Sequence, residues 1–175
     1  EMCIRDSFCR YPRGEGEGVD VTDIVQDVKI GKGRIIRRGK DLAILALGTR
    51  VGSALKVADH LLQDNLEITV ADARFAKPID TKLLRQLWND HQKLIIIEEG
   101  SAGGFSSHCL HFLSSKDLLN KHDKEIKCLT MPDNFQDHAS QNEQLAKAGL
   151  DADGLMRVVS KMIFLSNTKN KTIAN

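Results

Sequence analysis

The sequence predicts an α/β domain of three layers, with helices on both faces of a mostly parallel sheet of about five strands. Three observations carry this. The run Leu42-Ala43-Ile44-Leu45-Ala46-Leu47 is apolar throughout and ends at Gly48-Thr49-Arg50. It does not alternate, so it has no wet face and must be covered on both sides. Strand-like and helix-like stretches then take turns from residue 42 to residue 129, the signature of parallel strands joined by right-handed crossovers. Each helical stretch also carries a single apolar face.

Taken in order, Phe8-Cys9-Arg10-Tyr11 has the composition of a short strand, stopped by Pro12, which has no N–H for a ladder. Gly14-Glu15-Gly16-Glu17-Gly18 alternates glycine with acid and reads as a flexible linker, continued by a mixed, extended stretch to Ile30. A strand fragment ahead of a linker predicts that residues 8–13 are the tail of a preceding domain. Residues 1–7 are unlike the rest of the chain and are expected to be an artefact with no part in the fold. Residues 33–39 form an edge strand, with arginines around Ile35 and Ile36 and a glycine at each end.

After the central strand, Val51, Ala54, Leu55, Ala58, Leu61 and Leu62 recur at helical spacing, with Thr49 placed to cap the helix. Residues 67–72 are the next strand. Residues 75–78 turn, and Asp80 caps a helix carrying Leu83, Leu84, Leu87 and Trp88. Residues 94–97 are a buried strand ending at Glu98-Glu99-Gly100. Gly103-Gly104 opens a helix with Phe105, Cys109, Phe112 and Leu113 on one face, and residues 126–129 are a shorter strand. Ser140-Gln141-Asn142-Glu143 is a capping box that starts a helix stopped by Gly149. Asp151 caps a last helix with Leu155, Val158, Val159, Met162 and Ile163 on its core face. The domain proper therefore spans residues 31–165, and the polar residues 166–175 are expected to fray into a disordered tail.

The net charge of +1 mixes both signs along the chain, which gives no basis for binding nucleic acid or an anionic membrane. No apolar stretch approaches the roughly 20 residues needed to span a bilayer. Cys3, Cys9, Cys109 and Cys128 form no C-x-x-C pair, and their irregular spacing predicts reduced thiols in a cytosolic protein.

Ligands of open α/β sheets bind beyond the carboxyl ends of the strands. Those ends carry Gly48-Thr49, Asp72-Ala73-Arg74 and Glu98-Glu99-Gly100. Adjacent acids there suit either general acid–base work or bonds to loop amides and a neighbouring domain; no nucleophile or metal partner accompanies them, which favours the second. His108 and His111 stand three apart on a helix, too few for a closed metal site, and Cys109 falls on the apolar face. Gly31-Lys32-Gly33 and the Gly14–Gly18 stretch do not join a buried strand to a helix as a phosphate loop must. Arg10-Tyr11-Pro12-Arg13-Gly14 holds two guanidiniums around a rigid proline, which suits either bidentate phosphate binding or a surface pair at a domain edge.

Five stretches in this order carry a resemblance: Arg10-Tyr11-Pro12-Arg13-Gly14, Ile30-Gly31-Lys32-Gly33-Arg34, residues 71–80 (Ala-Asp-Ala-Arg-Phe-Ala-Lys-Pro-Ile-Asp), residues 98–105 (Glu-Glu-Gly-Ser-Ala-Gly-Gly-Phe) and Met131-Pro132-Asp133-Asn134-Phe135. From Phe8 to about Leu165 the chain resembles the C-terminal part of the 1-deoxy-D-xylulose-5-phosphate synthase family, transketolase-like thiamine diphosphate enzymes. The resemblance implies a three-domain, cytoplasmic homodimer that uses thiamine diphosphate and magnesium. Such enzymes condense pyruvate with D-glyceraldehyde 3-phosphate, release carbon dioxide, and feed isoprenoid, thiamine and pyridoxal biosynthesis. It also implies a transketolase C-terminal-like fold with an antiparallel edge strand.

By the same resemblance, Arg13 ends the pyrimidine-binding domain and helps hold the aldehyde substrate's phosphate, with Arg10 and Tyr11 as supports. No catalytic role passes to Glu98, Glu99 or His138. The Gly-Asp-Gly motif and asparagine that hold magnesium and diphosphate, and the glutamate that activates the cofactor ring, are absent from this chain. The expectation is a fragment that folds but binds no cofactor or metal and turns over no substrate, its partners being the missing domains and a second copy. Phe135-Gln136-Asp137-His138-Ala139 stands where the family often has Phe-Ile-Asp-His-Gly, and Gln136 and Ala139 predict an altered loop. Two other readings share the architecture: the last domain of a 2-oxo acid dehydrogenase β subunit or a transketolase, and a stand-alone α/β ligand-binding module.

Overall fold

The computed structural model describes residues 28–120 and 123–172, with side chains as far as residue 164. Five strands form one sheet: β1 (Arg34–Arg37), β2 (Leu42–Ala46), β3 (Ile68–Asp72), β4 (Lys93–Ser101) and β5 (Glu125–Met131). Their order is β1-β3-β2-β4-β5. β1 runs antiparallel to β3, and the other pairings are parallel. Five helices complete the layers: α1 (Arg50–Leu62), α2 (Thr81–Asp90), α3 (Phe105–Ser115), α4 (Gln141–Ala148) and α5 (Ala152–Thr172). The expected three-layer α/β fold with an antiparallel edge strand is the one observed.

The central strand divides the core by its pleat. Successive side chains of a strand point to opposite faces. Leu42, Ile44 and Ala46 enter one core with Ala54, Val57 and Leu61 of α1 and Leu155, Val159 and Met162 of α5. Ala43 and Leu45 enter the other with Leu84, Leu87 and Trp88 of α2 and Phe105, Cys109 and Leu113 of α3. All five residues of β2 are buried, as an unalternating apolar run requires.

Local chemistry sets most helix starts. Asp80 Oδ1 accepts from the amides of Lys82 and Leu83, each at 3.1 Å, and so caps α2. Ser140 and Glu143 bond reciprocally at the start of α4, and Gly149 closes that helix in the left-handed conformation, φ 70°. Asp151 Oδ1 accepts from Gly154 N at 2.8 Å at the start of α5.

Three expectations differ from the structure. Thr49 precedes α1 but makes no side-chain cap: its backbone is already helical, φ −61° and ψ −17°, where a cap is extended, and its hydroxyl is turned to Glu99. β4 continues past Ile97 to Ser101, where it pairs with Met131 beyond an irregularity, and β5 is correspondingly longer. The β4 extension, Glu98-Glu99-Gly100-Ser101, is polar and carries no periodic signal of a strand. α5 runs on as far as Thr172. Residues 1–27, with the proposed strand, the linker, Arg10, Tyr11 and Arg13, lie outside the described residues. No helix among the described residues is long and apolar enough to cross a membrane.

Candidate functional site

The strand order reverses at β2. Its crossover through α1 leads to β3 on one side, while the next strand, β4, lies on the other. Helices leave on opposite faces there, the place where ligands of open α/β sheets bind. Thr49 and Arg50 follow β2, and Glu98 and Glu99 lie in the last part of β4.

The adjacent acids do not form a pair. Being consecutive in a strand, they point to opposite faces of the sheet. Glu99 turns toward α1, where its Oε1 accepts from the Thr49 hydroxyl and from Arg50 Nε at 3.0 Å. Arg50 is buried and spans far more than this contact. Its Nη1 donates to the Leu150 carbonyl at 2.7 Å and to Ser53 Oγ at 3.2 Å. One guanidinium therefore joins the end of β4, the start of α1 and the α4–α5 junction. Beside it lies an open cleft of about 550 Å³, lined by Thr49, Arg50, Ser53, Lys56, Asn142 and Asp153 among others.

Glu98 turns toward α3 and is 3 % exposed. Its Oε2 accepts from Phe105 N at 3.0 Å, and its Oε1 from Ser106 N and Ser106 Oγ, each at 2.7 Å. Of the two roles open to these acids, bonding to amides is what Glu98 does. Both carboxylates are engaged, on opposite faces of the sheet, which is unlike a general acid and base flanking one substrate.

The remaining candidates scatter. Cys109 is buried, His108 half-buried and His111 exposed; among the described residues no three His, Cys, Asp or Glu side chains gather to hold a metal. His138 is exposed on the loop before α4. Gly31 sits in a turn, φ 67°, packed on Pro78, and Gly33 N donates to Asp80 Oδ2 at 3.2 Å, so this turn meets the start of α2 where an aspartate already caps the helix. Arg10, Tyr11 and Arg13 lie outside the described residues. Arg50 and Ser106 were not singled out from the sequence. Their position just after a buried strand or a glycine pair was the available signal, but their partners were not legible.

Of the described thiols, Cys109 is buried and Cys128 half-buried. Burial foremost, then the neighbouring Cys128 and Glu98, push the Cys109 thiol up to about 12. Burial also raises Cys128, against a hydrogen bond with Ser106 that lowers it. The thiolate is the reactive form. Cys109 and Cys128 are therefore expected to resist iodoacetamide at pH 8 in the folded chain and to react on unfolding. Mass mapping of modified peptides checks this, and fast labelling of Cys109 in the native state would contradict its burial against β4 and β5.

Comparison with known proteins gives two findings. The family described as transketolase, C-terminal domain, matches residues 31–155. Among solved structures, a chain described as a split gene transketolase, inactive beta4 tetramer, is similar at 28 % identity and a TM-score of 0.69. The match covers 79 % of this chain and 44 % of that one, so the present chain spans less than half the length of that relative.

Proposed function

This chain belongs to the transketolase C-terminal domain family, and from that premise we propose that it is the C-terminal part of a 1-deoxy-D-xylulose-5-phosphate synthase. The observation that carries the reading is the ordered set of five motifs, above all Arg10-Tyr11-Pro12-Arg13-Gly14 immediately ahead of the domain. The whole enzyme would condense pyruvate with D-glyceraldehyde 3-phosphate, with loss of carbon dioxide, as a cytoplasmic homodimer. In this reading Arg13 grips the aldehyde's phosphate with its two-pronged fork, and Arg10 and Tyr11 steady it.

Transketolase-family enzymes use thiamine diphosphate and a metal ion. The described residues do not fit that pair. No cluster of acids or histidines among them could hold the metal. The glycine-rich turn from β4 into α3, where a diphosphate would otherwise find amides, is filled by Glu98. In this reading the cofactor belongs to preceding domains, which the described domain braces.

The likeness to a split gene transketolase favours one second reading, a transketolase C-terminal domain. The assay that separates them uses the polypeptide carrying this chain together with the coding sequence upstream of Phe8. The synthase reading expects carbon dioxide release from pyruvate that depends on glyceraldehyde 3-phosphate. Ketol transfer between sugar phosphates without that release would overturn it. The 175-residue chain alone is expected to give no product. In the active polypeptide, Arg13→Ala is expected to raise KM for glyceraldehyde 3-phosphate about 10- to 100-fold, with KM for pyruvate unchanged, since a charge-assisted contact contributes about 1.5–3 kcal/mol. Equal effects on both substrates would remove Arg13 from the phosphate.

A further inference from the structure

We propose that residues 19–27 of this chain lie back along β1 and fill the groove between the end of β1 and the end of α1, an acidic strap on a basic sheet edge. The inference stands independently of the enzyme assigned above.

The groove has unmet needs of two kinds. It is a cavity of about 210 Å³, with Ala58, Leu62, Leu66 and Ile68 as its apolar lining and Arg37 and Arg38 as its cations. Leu62 is 55 % exposed there. Arg37 Nη2 donates to Asp59, but Arg37 Nη1 is buried and has no acceptor among the described residues. A buried donor left without an acceptor is costly. Arg38 is exposed and makes no ion pair among the described residues, and the acid on the groove wall, Glu67, is held by Lys40 at 3.5 Å. β1 is also the edge of the sheet, with no strand on its outer side among the described residues. Edges of this kind are normally covered or blunted.

The chain ahead of β1 has the complementary chemistry. Residues 15–27 carry Glu15, Glu17, Asp20, Asp23 and Asp27 and no base, whereas residues 29–40 carry Lys29, Lys32, Arg34, Arg37, Arg38 and Lys40 and no acid. Val19, Val21, Ile24 and Val25 stand among those acids, so one short stretch offers both carboxylates for the guanidiniums and aliphatic side chains for the Leu62 wall. The approach is also set. Lys32 N donates to the Lys29 carbonyl at 3.1 Å across a turn with Gly31 at φ 67°. A turn reverses the chain, so what precedes Lys29 is aimed back along β1. Nine extended residues reach about 30 Å, enough to pass the four residues of β1 and arrive at Arg37 and Arg38.

The test is amide hydrogen exchange in the full 175-residue chain, read at residues 19–27, together with the methyl contacts of Leu62 and Leu66. In the wild-type chain, exchange at residues 19–27 is expected to be slowed about tenfold or more from coil rates, with contacts from Ile24 or Val25 to Leu62 or Leu66. Two variants outside the described residues are each expected to return the segment to coil rates and remove the contacts: Asp20→Asn, Asp23→Asn and Asp27→Asn together, and Ile24→Ser with Val25→Ser. Arg38→Glu, at an exposed position, is expected to weaken the same signals, and added salt to weaken them in the wild type by screening the pairs. Coil exchange at residues 19–27 of the wild type would overturn the proposal, since the groove would then be left to another partner. Contacts that arise between copies in a mixed-labelled sample would overturn it in favour of a second chain. Slow exchange that survives both sets of substitutions would place the segment elsewhere and overturn it too.

Discussion

Trp88→Ala is expected to lower the unfolding free energy by about 3–5 kcal/mol, the range for truncating a large buried aromatic. Trp88 is 2 % exposed on the inner face of α2, packed with Leu84, Leu87 and the core strands. Truncation opens a cavity that the rigid sheet beneath it cannot collapse into. It also removes two polar contacts. The indole Nε1 donates to the Leu118 carbonyl at 3.0 Å, and the Lys124 ammonium lies 5.7 Å from the ring centre. That ammonium also donates to the carbonyls of Trp88, Asn89 and His91, the last turn and end of α2, where a cation offsets the helix dipole. Trp88 is the one tryptophan of the chain, so denaturation of the variant is followed by circular dichroism. Trp88→Phe keeps most of the apolar burial and should lose clearly less. A loss under about 1 kcal/mol for Trp88→Ala would be typical of a surface position and would contradict the packing of α2 on the sheet.

Arg50→Ala is expected to cost about 2–4 kcal/mol. Breaking a fully buried ion pair costs about 3–5 kcal/mol, but the Glu99 side chain is 34 % exposed and can return to water, which reduces the effect. The Leu150 carbonyl has no such recourse beside the buried Leu150 and loses its guanidinium donor. Arg50→Lys should recover only part of the loss. One ammonium on a flexible stem cannot hold Glu99, Ser53 and Leu150 at the separations a planar fork spans. Urea denaturation of the two variants at low and moderate salt checks this. Full recovery by lysine, or abolition of the effect by salt, would show that a single surface contact had been lost rather than a buried junction.

The residues that divide these outcomes show how far the sequence could be read. The run from Leu42 to Leu47 determined the buried central strand, because an unalternating apolar stretch leaves no face for water. Helical spacing of apolar residues, the Asp80 cap, the Ser140–Glu143 box and Gly149 determined where helices begin and end. Each of these acts within one strand or one helical turn, so neighbouring letters suffice. The functional reading rests on motifs in order, and its central residue, Arg13, is legible only as sequence.

Tertiary structure alone decided the contacts at the strand ends. Glu98 and Glu99 are identical as letters, yet one is locked on the α3 amides and the other bound to Thr49 and Arg50, because adjacent strand residues face opposite layers. Thr49 has the chemistry of a cap but spends its hydroxyl on Glu99, which lies 50 residues away. Arg50 meets Leu150, 100 residues on, only because α5 returns to the face that α1 covers. Local periodicity chose the elements; the order in which the strands lie side by side chose which charges meet, and no short-range pattern encodes that order.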